Sequence, residues 1–328
     1  MRAVVLASFG GPEVLQVREV SDPSPAAGEI VVRIRGTALN RADILQREGR
    51  YPAPPGAPPD IPGMEYAGEV ERLGREVTGW SVGQRVFGIA GGGTYAERLA
   101  VPADTAIEIP DSLDWIQAAA IPEAFITAHD ALATQAALVA GERVLIHAVG
   151  SGVGLAAVQV ARAAGAVPYG TSRTADKLDV ARRWGMEDGV ALAGDPDAML
   201  PHVAEWTGGQ GVEVVLDLVG GAYTASSLRA LGRRGRLMLV GLVAGSEARL
   251  DLRRLLSWRI TLRGTVLRSR THEEKVSASG AFARDIVPHL ASGRVQPVVD
   301  SVFPLDRIAD AHRRLESNDT VGKIVITV

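Results

Sequence analysis

Apolar positions in the first 110 residues come in short runs separated by Gly and Pro, at 3–6, 14–20, 30–36, 66–73, 85–89 and 96–101. Runs of this length with β-rich content predict strands, and their even punctuation predicts a compact all-β or barrel-like region. Between them lies the segment Tyr51-Pro52-Ala53-Pro54-Pro55-Gly56-Ala57-Pro58-Pro59. Proline cannot donate to a helix or a central strand, so this segment predicts a surface loop or cleft lip. From 114 to 140 the text becomes alanine-rich and helical. A buried strand follows at 143–147, then the turn Ala148-Val149-Gly150-Ser151-Gly152-Val153-Gly154, a helix ending near Gly165, and a second strand at 167–171. Strands recur at 212–217, 236–241 and 259–266, separated by helical stretches at 175–184, 197–206 and 222–231. That alternation predicts a parallel, doubly wound sheet. Beyond 267 the pattern gives a helix, a strand at 298–303, a helix at 308–316 and a strand at 323–328. These elements return to the first domain, so the expected domains are 1–121 with 268–328, and 122–267.

The stretch from Arg143 to Lys177 reads as a nucleotide grip. Its glycines let the backbone approach a pyrophosphate, and the helix that starts at once presents unpaired N–H groups and a positive dipole end to an anion. The spacing is GxGxG, not the GxGxxG of the dinucleotide fingerprint; the strand, turn, helix and strand context carries the reading. Gly150, Ser151, Gly152 and Val153 are the expected pyrophosphate contacts. An NAD-type site places Asp or Glu where the second strand ends, but here that strand ends Tyr169-Gly170-Thr171-Ser172-Arg173. Ser172, Arg173 and Lys177 are suited to donate to a ribose 2′-phosphate and neutralise it, so NADPH is the expected cofactor.

Composition narrows the class. The 328 residues are 46% hydrophobic and 22% charged, ordinary for a soluble chain of two domains. A net charge of −3 and a pI near 6.1 argue against a general nucleic-acid or membrane surface. Cysteine is absent, which removes disulfides, thiolate metal sites and a cysteine nucleophile. The N-terminus lacks the features of a signal peptide and no apolar run reaches membrane-spanning length, so a cytoplasmic location is expected. None of the six histidines has metal-ligand spacing.

Several motifs together resemble the zinc-free quinone oxidoreductases of the medium-chain dehydrogenase/reductase superfamily, related to zeta-crystallin. They are Leu39-Asn40-Arg41-Ala42-Asp43, Gln46-Arg47 with Tyr51-Pro52, the Ala118 to Glu123 run AAAIPE, the glycine turn, Leu267-Arg268-Ser269-Arg270 and Gly322-Lys323-Ile324-Val325. Within the family they look most like the branch represented in mammals by the tumour-suppressor-inducible quinone oxidoreductase. The resemblance implies an α/β fold: a GroES-like β-barrel catalytic domain plus a Rossmann domain. Zinc-dependent relatives carry a GHE motif; here Gly63-Met64-Glu65 puts methionine at the ligand position, so no catalytic metal is expected.

The resemblance further implies Asn40 and Tyr51 as catalytic residues, with Asn40 donating to a substrate oxygen or to the ribose and Tyr51 donating to the acceptor or stacking on it. It adds Pro122, Thr127, Gly241, Leu242, Leu267 and Lys323 to the cofactor contacts. Without a Lewis acid, hydride or net one-electron transfer requires an acceptor that delocalises charge, such as a quinone or conjugated carbonyl compound. Reduction of enones or enoyl substrates is the alternative activity, and a non-enzymatic NADPH-binding role a further one. A homodimer paired through the Rossmann edge strands is expected, the candidate edge lying within 259–266.

Overall fold

The computed structural model describes residues Met1–Val328, which form two compact units, Met1–Ile126 with Leu267–Val328, and Thr127–Val266. The expected crossing after Ile121 differs from this division. Helix α3 below runs through the crossing without a loop, so packing changes in mid-helix where no turn residue marks it.

The first unit opens with β1 (Arg2–Leu6) and β2 (Leu15–Glu19), an antiparallel pair. Next come β3 (Glu29–Ala38), α1 (Arg41–Arg47), β4 (Glu65–Leu73), β5 (Arg85–Ile89), β6 (Arg98–Pro102) and the short β7 (Ile107–Glu108). Helices α2 (Trp115–Ala119) and α3 (Pro122–His129) follow. The expected helical text from 114 to 140 is therefore two short helices, after which 130–135 makes a π-helical turn. The segment 51–59 has neither helix nor strand.

In the second unit β8 (Arg143–Ile146), α4 (Gly152–Ala163), β9 (Val167–Ser172), α5 (Ala175–Arg183) and β10 (Asp188–Ala191) form the first half. Helix α6 (Leu200–Thr207), β11 (Val212–Asp217), α7 (Ala222–Ala230), β12 (Leu231–Leu239), α8 (Leu252–Trp258) and β13 (Thr261–Gly264) complete it. The six strands are all parallel, in the order β10-β9-β8-β11-β12-β13. The order reverses between β8 and β11, where open α/β sheets bind ligands beyond the carboxyl ends of the strands. The core of this unit is a hydrophobic cluster that includes Leu145, Val215, Leu228 and Leu237. The edge strand β13 is exposed along its whole length.

The chain then returns to the first unit through α9 (His272–Asp285), α10 (Val287–Ala291), β14 (Val299–Pro304), α11 (Ile308–Glu316) and β15 (Lys323–Thr327). Strand β15 pairs antiparallel with β3 and parallel with β14. The result is a seven-stranded sheet in which β3 also pairs with β4 and β6. Pairing sets Lys323 at the start of β15 close to Asn40, which follows the last residues of β3. No helix is long and apolar enough to cross a membrane.

Candidate active site

The first unit carries a buried polar node. Glu65 begins β4 and is fully buried. One carboxylate oxygen accepts from Lys323 Nζ at 2.7 Å and from Asn40 Nδ2 at 2.7 Å; the other accepts from the Glu123 backbone N–H at 2.9 Å. The last of these satisfies an orphan donor in the first turn of α3, where a carboxylate is also favoured by the helix dipole. Lys323 donates its remaining two protons to the Leu39 carbonyl (2.8 Å) and Asn40 Oδ1 (2.7 Å). All three ammonium protons are thus held by protein acceptors.

Asn40 is held on both sides of its amide. Its amide is oriented by a cation on the oxygen and a carboxylate on the nitrogen, and the nitrogen's second proton goes to the Ala38 carbonyl at 3.3 Å. The Asn40 side chain also takes part in the capping box at the start of α1, so its orientation is fixed from within the protein. Asp43 closes the loop by accepting from the Asn40 N–H at 2.7 Å, and burial pushes its carboxyl up to about 6.

Beside the node sit groups that sequence reasoning had not assigned. Burial, and then the charge of Glu65, push the Glu123 carboxyl up to about 8, against the opposing pull of Lys323 and Arg268. Glu123 is therefore mostly a neutral acid at pH 7. Arg268 is buried, donating from Nε to the Gly91 carbonyl (2.8 Å) and from Nη2 to Gln46 Oε1 (2.5 Å). Its guanidinium carbon lies 5.1 Å from the centroid of the half-buried Tyr51 ring. Burial raises the Tyr51 phenol, and the charge of Arg268 partly offsets this. The clue in the sequence was that Glu123 and Arg268 lie inside motifs already marked, AAAIPE and LRSR. Pro122 is the first residue of α3, and Leu267 is buried at the return into this unit.

The second unit gathers the residues of the nucleotide grip at the carboxyl ends of its strands. Ser151 caps α4, its Oγ accepting from the Gly154 N–H at 3.1 Å, so Gly152 and Val153 occupy the first turn of a twelve-residue helix. Ala148 takes a left-handed conformation (φ 49°) to tighten the turn. A Cβ at Gly154 would lie 2.6 Å from the Ala148 carbonyl oxygen, and one at Gly150 would lie 2.8 Å from the Lys177 Cβ. The glycine turn and Lys177 are thus in direct contact, although 27 positions apart in the numbering. Ser172 ends β9, Arg173 follows it, and Lys177 sits in the first turn of α5. The α4 N-terminus, Ser172, Arg173 and Lys177 thus make this end of the sheet rich in donors and positive charge, with no carboxylate at the end of β9. Gly241 follows β12, with Leu242 largely exposed after it. Thr127, within α3, is the first residue of this unit.

Comparison with known proteins now bears on both units. Residues 152–281 match the family described as zinc-binding dehydrogenase, and residues 26–111 match the alcohol dehydrogenase GroES-like domain. A quinone oxidoreductase of Pseudomonas aeruginosa is 33% identical over 99% of both chains. This chain belongs to the quinone oxidoreductase family of the medium-chain dehydrogenase/reductase superfamily. Among solved structures, the Escherichia coli quinone oxidoreductase complexed with NADPH superposes with a TM-score of 0.88 at 30% identity over 100% of both chains. An NAD-dependent alcohol dehydrogenase gives the same TM-score at 31% identity, again over 100% of both. The chain is an oxidoreductase with the fold of this superfamily.

The zinc named by one matched family does not fit the residues present. No group of three or more His, Cys, Asp or Glu is placed to hold a metal ion, and the chain has no cysteine. Glu65 is held by Lys323, Asn40 and the Glu123 N–H, and its neighbour Met64 is buried.

Proposed function

We propose that this enzyme reduces quinones with NADPH and without a metal. The observation that carries the reading is the closed node around Glu65: where a Lewis acid would need open ligands, the carboxylate is saturated by an ammonium, an amide and a helix N-terminus. With nothing to polarise an isolated carbonyl, the acceptor must spread charge over its own conjugated system. The first unit is the catalytic domain and the second the NADPH-binding domain. In the second, Ser172, Arg173 and Lys177 hold the 2′-phosphate, and Gly150, Ser151, Gly152 and Val153 with the α4 N-terminus hold the pyrophosphate. In the same unit Thr127, Gly241 and Leu242 meet the nicotinamide half of the cofactor.

Bound NADPH supplies the hydride; the residues of the chain supply position and a proton. Asn40, fixed by Lys323 and Glu65, is the residue that meets a substrate oxygen or the ribose. Tyr51 stacks on the acceptor ring or donates to its oxygen. Glu123, a neutral acid near pH 7, delivers the proton that completes the hydroquinone. The same acid favours a second reading, the reduction of conjugated enones, in which the proton goes to carbon.

Stopped-flow oxidation of NADPH with ortho-quinones, para-quinones and enones, before and after chelation, tests the reading. Quinone turnover that survives chelation is expected; turnover with enones alone would transfer the function to the second reading. NADPH should bind at least about tenfold tighter than NADH, a difference of roughly 1.4 kcal/mol. Equal affinities would remove the assigned role of Arg173 and Lys177. A cytoplasmic homodimer joined along the exposed β13 edges accompanies this reading, since an open edge strand favours pairing. Light scattering giving a monomer mass would discard the dimer.

A further inference from the structure

His147 is fully buried and has no task in the reading above. It follows β8 directly and precedes the glycine turn. Its Nδ1 lies 2.8 Å from Thr171 Oγ1 on β9, and its Nε2 lies 2.8 Å from Ser227 Oγ on α7. Ser227 donates its one hydroxyl proton to the Tyr223 carbonyl at 2.7 Å, so its oxygen accepts from the His147 Nε2–H. Burial keeps the imidazole neutral, pulling its pKa down to about 4 against the opposing charge of Asp217, so the ring holds only that proton. Nδ1 therefore accepts from the Thr171 hydroxyl. The donors run in one direction, from Thr171 through the ring and Ser227 to the Tyr223 carbonyl, and the tautomer is fixed by the protein alone.

Thr171 meets the turn a second time, its carbonyl accepting from the Val149 N–H at 2.9 Å. The side-chain bond to His147 and the backbone bond to Val149 thus bracket Ala148, the left-handed residue that tightens the turn. Directly after Thr171 come Ser172 and Arg173. The two bonds therefore tie the glycine turn to the polar end of β9, and Ser227 ties the same ring to α7. Apolar residues of the same shape would fill this space with no hydrogen bonds to satisfy, so stability alone does not call for the network. What a directed network adds is a single geometry.

We propose that His147 is a positioning residue for the cofactor: through Thr171 and Ser227 it fixes the spacing between the pyrophosphate-binding turn and the end of β9, and so sets the preference for NADPH over NADH. The proposal rests on the assignment of Ser172, Arg173 and Lys177 to the 2′-phosphate. A nucleotide held by phosphates at both places senses that spacing; NADH, without the 2′-phosphate, senses it less.

Dissociation constants of NADPH and NADH are measured by fluorescence titration for the unaltered enzyme, His147→Phe, Thr171→Val and the double variant. NADPH affinity should fall about tenfold in each single variant, the scale of one hydrogen bond, and NADH affinity by about threefold or less. The double variant should lose no more than the weaker single one, because both substitutions remove the same bond. Thr171→Val leaves the ring in place and decides the matter if His147→Phe does not fold. In long-range ¹H–¹⁵N spectra at pH 7, the histidine signal that His147→Phe removes should show a bare Nδ1 and a protonated Nε2. A protonated Nδ1, equal losses for the two nucleotides or additive losses in the double variant would overturn the proposal. If Arg173→Ala with Lys177→Ala leaves the ratio of the two affinities unchanged, the 2′-phosphate assignment falls and the proposal with it. If that variant abolishes the preference while Thr171→Val retains it, the assignment stands and the proposal alone falls.

Discussion

Glu123→Gln removes a proton-holding group while keeping its shape, and its effect should depend strongly on pH. The native carboxyl titrates at about 8, against 4.5 for an unperturbed glutamate. Between those values the folded state holds a proton that the unfolded chain has released, so Glu123 lowers stability progressively as pH rises through the window. The full rise corresponds to at most about 5 kcal/mol, at 1.36 kcal/mol for each tenfold. Because Glu123 is partly exposed, water screens it, and roughly 2–3 kcal/mol is the reasonable expectation. Asp43, raised to about 6, acts in the same direction but is present in both proteins and largely cancels in their difference. Urea unfolding at several pH values from about 5 to about 8.5, read by hydrogen exchange in peptides from β4 and α3, reports this unit separately from the other. Glu123→Gln should gain stability relative to the unaltered protein as pH rises, then level off above about 8. A difference that stays constant across the range would refute the raised pKa. Quinone turnover should fall above about pH 8 in the unaltered enzyme, and Glu123→Gln should be at least about tenfold slower and lack that limb. Equal turnover would remove Glu123 as the proton source even if the stability result held.

Lys323→Met should destabilise the first unit by about 3–5 kcal/mol, because it strands the buried Glu65 carboxylate; adding Glu65→Gln should recover part of the loss, and a double-mutant cycle without coupling would contradict the node. Arg173→Ala with Lys177→Ala should weaken NADPH binding about tenfold or more while leaving NADH affinity nearly unchanged; equal losses by fluorescence titration would place neither residue at the 2′-phosphate. Tyr51→Phe should change quinone turnover more than NADPH affinity, and turnover unchanged with every quinone would take Tyr51 off the catalytic list.

The Rossmann half of the fold was the more legible part, for a physical reason. Strands such as 212–217 are buried on both faces, so they appear as unbroken apolar runs, and β11 has those same bounds. Strand β12 begins earlier than the expected 236. It starts at Leu231 and passes through Arg233-Arg234-Gly235, where Arg234 adopts φ 62° and the pairing with β11 shifts register. Arginines and a glycine look like a turn in the text, whereas here they form an irregularity within a strand. Strand β13 is shorter than 259–266 because α8, itself not foreseen, extends to Trp258 and is capped by Arg259 at φ 55°. The site was legible residue by residue and illegible as a network. Asn40, Tyr51 and Lys323 stood out as motif positions, but Glu65 lies 258 positions from Lys323 and 58 from Glu123. The β15–β3 and β3–β4 pairings bring Lys323 to Glu65, the start of α3 brings Glu123, and no local pattern encodes a long-range register.

The scarcity of lysine, three among 35 basic residues, has a geometric explanation at the one position where every donor is accounted for. Lys323 meets three acceptors from three elements: Leu39 O, Asn40 Oδ1 and Glu65 Oε1. A tetrahedral ammonium can satisfy all three at once, whereas a planar guanidinium presents its five N–H groups in a fixed fork and is too large for a site that is 5% exposed. Arginine serves where two donors meet one carboxylate, as in the pairs Arg143–Glu213 and Arg314–Asp300. Lys323→Arg, conservative in charge, should therefore be nearly as damaging as Lys323→Met and should also weaken cofactor binding through a displaced Asn40. If Lys323→Arg kept both the stability and the NADPH affinity of the unaltered enzyme, charge alone would explain the node and the three-donor geometry would be irrelevant to it.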